Sequence, residues 1–465
     1  MERPQKANWI HDLLLRLSPA KQKILLKDVR RVSEEERILY EKPDGGHKVI
    51  PLLVRPRLLR PYQLRYCRNI ILELQKAIET IYTHYFDEPL FQEILPFHGI
   101  EKEHFDHLYR LQGNAQTVMS RWDAVSDYSG PNWKRYLRFV EWNGVGVGGI
   151  YYAVATETIM RRTLLPILKT LQPRFRVIRM TDARGLLYRQ ILRHAQKAGI
   201  RLKRIALVEE LRDPGGPLEF EEFRDYFKTR GCDAIVADPR DLSLKKGKLF
   251  ARGKEVEMIY RDTELEEALD MEKHGENVKA FKEAFRRNAA LSSLMGELDH
   301  KSALEVFSHP SLSRYFTPRQ KEIFQAHVVW TRLLRPVVTT DPQGKRIDLY
   351  AYARRKRETS VIKPNREFGG KGVTFGKNCS QRKWEAYLEK AFRQPGEWVI
   401  QNEAEIRPKK FITSHPGGLQ EETLNVVDGF IVTPDGISII GRGSRNEVVN
   451  VARHGGLVAT LVYQY

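Results

Sequence analysis

One short segment constrains this chain more than any other. Val361-Ile-Lys-Pro-Asn-Arg-Glu-Phe-Gly-Gly-Lys-Gly-Val373 places a lysine where an apolar strand ends and follows it with glycines in one loop. Glycine lets backbone amides come close to an anion because no side chain intervenes. A lysine adds a point charge to the same oxygens. Lys363, with Gly369, Gly370, Lys371 and Gly372, therefore reads as a phosphate-binding element. It is not a P-loop, because the Gly-x-x-x-x-Gly-Lys-Ser/Thr order is missing. A glycine cluster of this kind also makes plain turns, so its neighbours matter.

Downstream lies a helical stretch, Gln381 to Phe392, and then Glu397-Trp-Val-Ile-Gln-Asn-Glu403. Val399 and Ile400 could pack an adenine ring, with Gln401, Asn402 and Glu403 supplying polar contacts. The alternative for Gln401 to Glu403 is the polar end of a strand. Upstream, Arg121-Trp-Asp123 and Glu141-Trp-Asn143 each set two polar groups two residues apart, hence on one face of a strand. Asp123, Glu141 and Asn143 would together offer the hard oxygens that magnesium prefers. Arg121, on the side of Asp123, could stabilise a charged transition state. An ion-paired strand edge would look the same in sequence.

The rest of the chain reads as mixed α/β. The first 110 residues are mostly helical, with apolar residues at three-and-four spacing from Arg68 to Tyr82. Arg204 to Glu209, Leu218 to Thr229 and Ala234 to Ala237 form a strand-helix-strand pattern that favours a parallel sheet. Asp213-Pro-Gly-Gly-Pro217 is a turn cluster, Lys248 to Tyr260 a hairpin, and Glu264 to Lys282 a solvated helix or lid. Helices run to Leu334. Strands follow at Ser360 to Pro364, Trp398 to Asn402, Gly429 to Thr433, Ile437 to Gly441 and Leu457 to Val462.

With 465 residues, 41% hydrophobic and 29% charged, the chain can bury several cores. No apolar run approaches bilayer length, and Met1 to Lys6 lacks the layout of a signal peptide, so no membrane association and a cytoplasmic location are expected. Three scattered cysteines suggest neither a zinc site nor a disulfide framework. The net charge of +19 is spread over many segments without a nucleic-acid motif, so it could attract anionic substrates or simply keep the chain soluble, and nucleic acid is not the expected partner. No motif specifies an oligomeric state.

Taken together, these residues resemble the circularly permuted ATP-grasp proteins, the group that includes glutathionylspermidine synthase. The metal-like strand precedes the phosphate loop, the reverse of the ordinary ATP-grasp order. The resemblance covers about residues 111 to 465, and the helical start has no counterpart. It implies a metal-binding part at 111–200, an α/β substrate side at 201–285 and an ATP-binding part at 286–465, after a helical region at 1–110. It implies roles for Arg121 in catalysis, for Asp123, Glu141 and Asn143 in metal binding, and for Lys301 and Lys363 as the two nucleotide lysines. Arg442-Gly-Ser-Arg445 and Val449 to Gly456 resemble a closing arginine and Asn…Gly-Gly segment, so Arg442 and Arg445 would hold phosphate or carboxylate. Arg261, in the substrate-side insert, hints at an acidic carboxylate donor. Gly144-Val-Gly146 departs from relatives, which more often carry Asp or Ser and Pro there. The implied activity is ATP- and Mg2+-dependent ligation of a small-molecule or peptide carboxylate to an amine through an acyl-phosphate. The alternative is a nucleotide- or polyanion-binding protein without ligase activity.

Overall fold

A computed structural model describes residues 9–42, 46–113, 115–212, 216–415, 418–449 and 455–464. The Asp213 turn cluster and the Asn450 to His454 part of the closing segment lie largely outside them. The architecture is mixed α/β with several sheets.

The largest sheet is antiparallel. It runs from Gly456–Val458 through Gly436–Ser444 and Gly418–Thr433 to β1 (Ser120–Val125) and β2 (Arg138–Asn143), and Lys409–His415 also pairs with Gly418–Thr433. The two tryptophans of β1 and β2 set its polarity. Trp122 and Trp142 are fully buried with ring centroids 6.4 Å apart, and Phe139 packs at a tilt against Phe430. Alternation then sends Arg121, Asp123, Glu141 and Asn143 to the opposite face.

After β2 the chain makes a glycine turn into helix α1 (Ile150–Leu171). Gly149 has φ +94°, which a side chain rarely adopts. The helix is capped from a distance. The Glu219 carboxylate accepts from the amides of Gly149, Tyr151 (2.6 Å) and Tyr152 (3.2 Å), which satisfies groups that a helix start leaves open.

Glu219 comes from the α/β insert. There Arg204–Val208, the helix Phe220–Thr229 and Asp233–Ala237 form the expected strand-helix-strand unit with parallel pairing. The order is Ala290–Leu291, Met258–Arg261, Arg204–Val208, Asp233–Ala237. The hairpin expectation holds only for Lys248–Ala251 and Lys254–Val256, because Met258–Arg261 leaves it to pair in parallel with Arg204–Val208. Glu264 to Lys282 holds the helix Leu265–Lys273 and the start of a second, Lys279–Arg286.

A second small sheet carries Lys363. Its order is Thr331–Leu333, then β4 (Trp398–Asn402), then β3 (Ser360–Pro364), then Thr374–Phe375, all antiparallel. Trp384, Leu388, Ile362 and Ile400 form a core beneath it. The N-terminal region is stitched to the far end of the chain. The helix Pro61–Thr83 follows the strand Arg57–Leu59, which pairs in parallel with Thr460–Gln464. No helix of the described residues is long and apolar enough to cross a membrane.

Candidate active site

Pairing in the large sheet assembles the first half of the site. Asp123 lies opposite Glu141, and Arg121 opposite Asn143. Arg121 grips Asp123 with two parallel bonds (2.7 and 3.0 Å), reaches the Gly148 carbonyl (2.7 Å) and touches the Asn143 carboxamide oxygen (3.3 Å). Arg442, from Gly436–Ser444, adds a third contact to Asp123 at 2.7 Å. Burial pushes the Asp123 carboxyl up, but the two guanidiniums outweigh it and bring the pKa down to about 2. Arg442 Nε is buried with no partner among the described residues, so one N–H is left for an incoming acceptor.

The second half comes from the small sheet that contains β3 and β4 and from the segment before it. Lys301 Nζ pairs with Glu141 at 2.9 Å and donates to the Glu367 carbonyl at 2.7 Å, fastening the root of the glycine loop. Lys363 Nζ donates to Gln401 Oε1 at 2.7 Å. Burial draws the Lys363 ammonium down to about 8, helped by Lys301 and opposed by Glu141 and Asp123. The structure therefore brings Arg121, Asp123, Glu141, Asn143, Lys301, Lys363 and Arg442 to one place.

In the glycine loop, Gly369, Gly370 and Gly372 have φ of +66°, +71° and +73°. A Cβ on Gly370 would meet Val448 at 2.2 Å, so the loop closely approaches the segment after Arg445. Lys371 is mostly exposed and sits 3.4 Å from Glu367. The expected adenine contacts differ in detail. The Gln401 side chain is buried and committed to Lys363, Thr331 and Val140. The amides of Asn402 and Glu403 bond to the carbonyls of Trp330 and Thr359. The Glu403 carboxylate pairs with Lys377 at 2.6 Å, and Lys377 also holds Glu447 at 2.7 Å.

Two arginines read as substrate-binding stand elsewhere. Arg261 is 1% exposed and pairs with the equally buried Glu297 at 2.7 Å. It also donates to the carbonyls of Ser292, Thr263 and Ser293 and lies 4.5 Å from the Phe285 ring. Its fork is used up inside the fold, so Arg261 is corrected to a core residue. The hint of an acidic carboxylate donor loses the residue that carried it. Arg445 is exposed, bonded to Glu422, and lines a groove of about 650 Å³ between the helix Pro19–Glu35 and the C-terminal strands. Among the described residues its bonds go to Glu422 and not to the Arg121 cluster.

One residue escaped the sequence reading. Asp299 accepts from the amides of Gly144 (2.7 Å) and Val145 (3.3 Å), pinning the turn after Asn143. Burial, with Glu141 nearby, raises its carboxyl to about 7 against those bonds and Lys301. Its position two residues before Lys301 was the available signal.

Among the described residues no three His, Cys, Asp or Glu side chains gather as a metal cluster. Two facing carboxylates and one carboxamide are still a hard-oxygen set that fits magnesium, provided phosphate and water complete the shell. Lys301, Arg121 and Arg442 balance those carboxylates in the free chain.

Buried carboxyls give the molecule a pH signature. Burial holds Glu101, Glu219 and Asp299 at about 7 and Glu209 at about 8. Each binds its proton more tightly folded than unfolded, so its contribution is full below pH 4 and is lost as pH rises through 7 to 8. Buried His194, held down at about 4, works the other way but is spent by pH 6.5. The thermal midpoint of the unliganded chain is therefore expected to fall from pH 6.5 to pH 8.5 at fixed ionic strength. A midpoint that rises over this interval would contradict these burial effects.

No family model and no curated protein matches the sequence. Among solved structures, the chain is similar to a glutathione synthetase-like effector from Globodera pallida in its apo form, with TM-score 0.59 and 10% identity, over 96% of this chain and 98% of that one. A Methylobacillus flagellatus protein provisionally assigned as a gamma-glutamylcysteine synthetase aligns with TM-score 0.42 and 10% identity over 83% of this chain and 87% of that one, too distant to carry an argument. The fold of this chain is the fold it shares with the effector.

Proposed function

We propose that this chain is an ATP- and Mg2+-dependent carboxylate–amine ligase built on a circularly permuted ATP-grasp fold. The observation that carries the reading is the meeting of the Arg121–Asp123–Arg442 cluster with the Glu141–Lys301 pair and Lys363. The likeness to a glutathione synthetase-like effector is consistent with that fold. Anion-binding cations, a hard-oxygen set and a glycine loop are what phosphoryl transfer needs, since its catalysis is mostly positioning and charge neutralisation.

In this reading the substrate carboxylate takes the terminal phosphoryl group of ATP, giving an acyl-phosphate and ADP. The amine nitrogen then attacks the acyl carbon, phosphate leaves, and the nitrogen gives up a proton. Lys301 and Lys363 hold phosphate oxygens, and Arg121 and Arg442 face charge that develops on oxygen. Asp123, Glu141 and Asn143 would hold magnesium, which supplies charge neutralisation at the phosphates when bound. The glycine loop shields the acyl-phosphate from water.

The test is ADP release across pools of carboxylates and amines, followed by mass spectrometry of the product. Release that requires both substrates supports the ligase. Nucleotide binding with no turnover on any pair would leave the binding-protein alternative. Lys363→Ala is expected to weaken nucleotide binding about 10- to 100-fold by calorimetry, the range for a lost charged hydrogen bond. Unchanged affinity would remove Lys363 from the site.

A further inference from the structure

Gln401 sits where the two halves of the cleft meet. It lies on β4, the strand between β3 and Thr331–Leu333, directly opposite Val361 on one side and Thr331 on the other. Its side chain is 2% exposed, so it is no surface amide waiting for a base. The carboxamide makes three bonds in three directions. Oε1 accepts from Lys363 Nζ (2.7 Å), while Nε2 donates to Thr331 Oγ1 (2.9 Å) and to the Val140 carbonyl (3.1 Å). The orientation is forced by chemistry, because an ammonium can only donate and a carbonyl can only accept.

The third bond is the informative one. Val140 is the residue before Glu141 on β2, so the amide ties the phosphate-loop lysine to the backbone of the strand that carries Glu141. Thr331 is itself held by the Val329 carbonyl at 3.0 Å, and the amide of Val329 bonds to the Phe139 carbonyl. The bracket therefore stands on a rigid footing that is bonded to β2 at two points. A lysine on a four-carbon stem would otherwise lose its definition among many rotamers.

We propose that Gln401 is a positioning residue that holds the Lys363 ammonium at a set distance from the Glu141 strand, so that a phosphate group spanning the two meets a gap already of the right width. The inference rests on the ATP-ligase reading, but the bracket itself can be tested without nucleotide. The charged groups that act on Lys363 are Glu141, Lys301 and Asp123, and all three stay in place when Gln401 is changed.

The experiment combines two measurements on the full chain. One is an NMR titration of the Lys363 side chain in the unliganded protein, with 13C-labelled lysine. The other is calorimetric binding of MgATP. Gln401→Leu removes the acceptor of the ammonium, so the Lys363 midpoint should fall and MgATP should bind roughly tenfold more weakly. Gln401→Glu puts a carboxylate there and should move the midpoint up. Thr331→Val loosens the footing alone and should weaken MgATP binding by less than Gln401→Leu does. A residue that only filled space would alter the melting temperature and leave the Lys363 midpoint unmoved. An unchanged midpoint in folded Gln401→Leu overturns the proposal. If that variant does not fold, an unchanged midpoint in Gln401→Glu overturns it equally. Wild-type protein that binds no MgATP would sink the ligase reading, and the titration would still decide the bracket.

Discussion

Glu141→Ala is expected to yield a folded protein that forms no measurable ADP, a loss of at least about a hundredfold by analogy with removal of other transition-state contacts. The side chain is half-buried and is not part of the core. Among the described residues its carboxylate pairs with Lys301, which keeps a second bond to the Glu367 carbonyl. Truncation therefore removes one of the two facing carboxylates while leaving the sheet register with Asp123 intact. Glu141 is a quarter exposed and the buried Lys301 keeps its carbonyl acceptor, so the melting temperature should fall only modestly. Full turnover in Glu141→Ala would show that the oxygen set is only a strand edge. Loss of folding would show that the pair with Lys301 is structural.

Arg261→Leu is expected to do the reverse. Arg261 and Glu297 both have fully buried side chains, and removing one partner leaves an uncompensated charge in the core. Such a break costs about 3–5 kcal/mol. Three carbonyl acceptors, on Ser292, Thr263 and Ser293, lose their donor as well. Denaturant unfolding should show the change as a lowered midpoint. Whatever fraction stays folded should keep the apparent KM for every substrate, because the Arg261 side chain is fully buried and its donors are committed inside the fold. A raised KM with normal stability would return Arg261 to the substrate side. Replacing both partners by apolar residues should recover much of the loss, since the pair gains little over good packing.

These two arginine and glutamate sites show what a single sequence can and cannot say. The period-two rule placed Arg121 beside Asp123 and Glu141 beside Asn143, and the structure agrees, because alternation is a local property of a strand. Ser360–Pro364 and Trp398–Asn402 were also legible, bounded as they are by polar residues and filled with β-branched and aromatic ones. Arg261 was misread because its partner, Glu297, is distant in sequence, and nothing local distinguishes a buried arginine at a strand end from a binding one. The long strand Gly418–Thr433 was seen only in its last five residues, since Gln420, Glu421 and Glu422 hide the pattern. Thr331–Leu333 was taken for the end of a helical run. Three residues are too few to show a period, and its partner β4 lies almost seventy residues away. The role of Gln401 depended on the same pairing, which explains why it read as an adenine contact.

The strand at Thr460–Gln464 has a practical meaning for anyone who shortens this protein. It is flanked by Arg57–Leu59 on one side and Arg176–Ile178 on the other. Just before it, Leu457 exchanges backbone bonds with Pro51 and Leu53 and pairs with Arg442. Trimming away the first sixty residues would strip one flank from both segments and expose an apolar edge built from Leu457, Leu461 and Val462. Open edges of that kind recruit other chains. The first sign of such a truncation should be insolubility, with the loss of Arg442 from the cleft following from it.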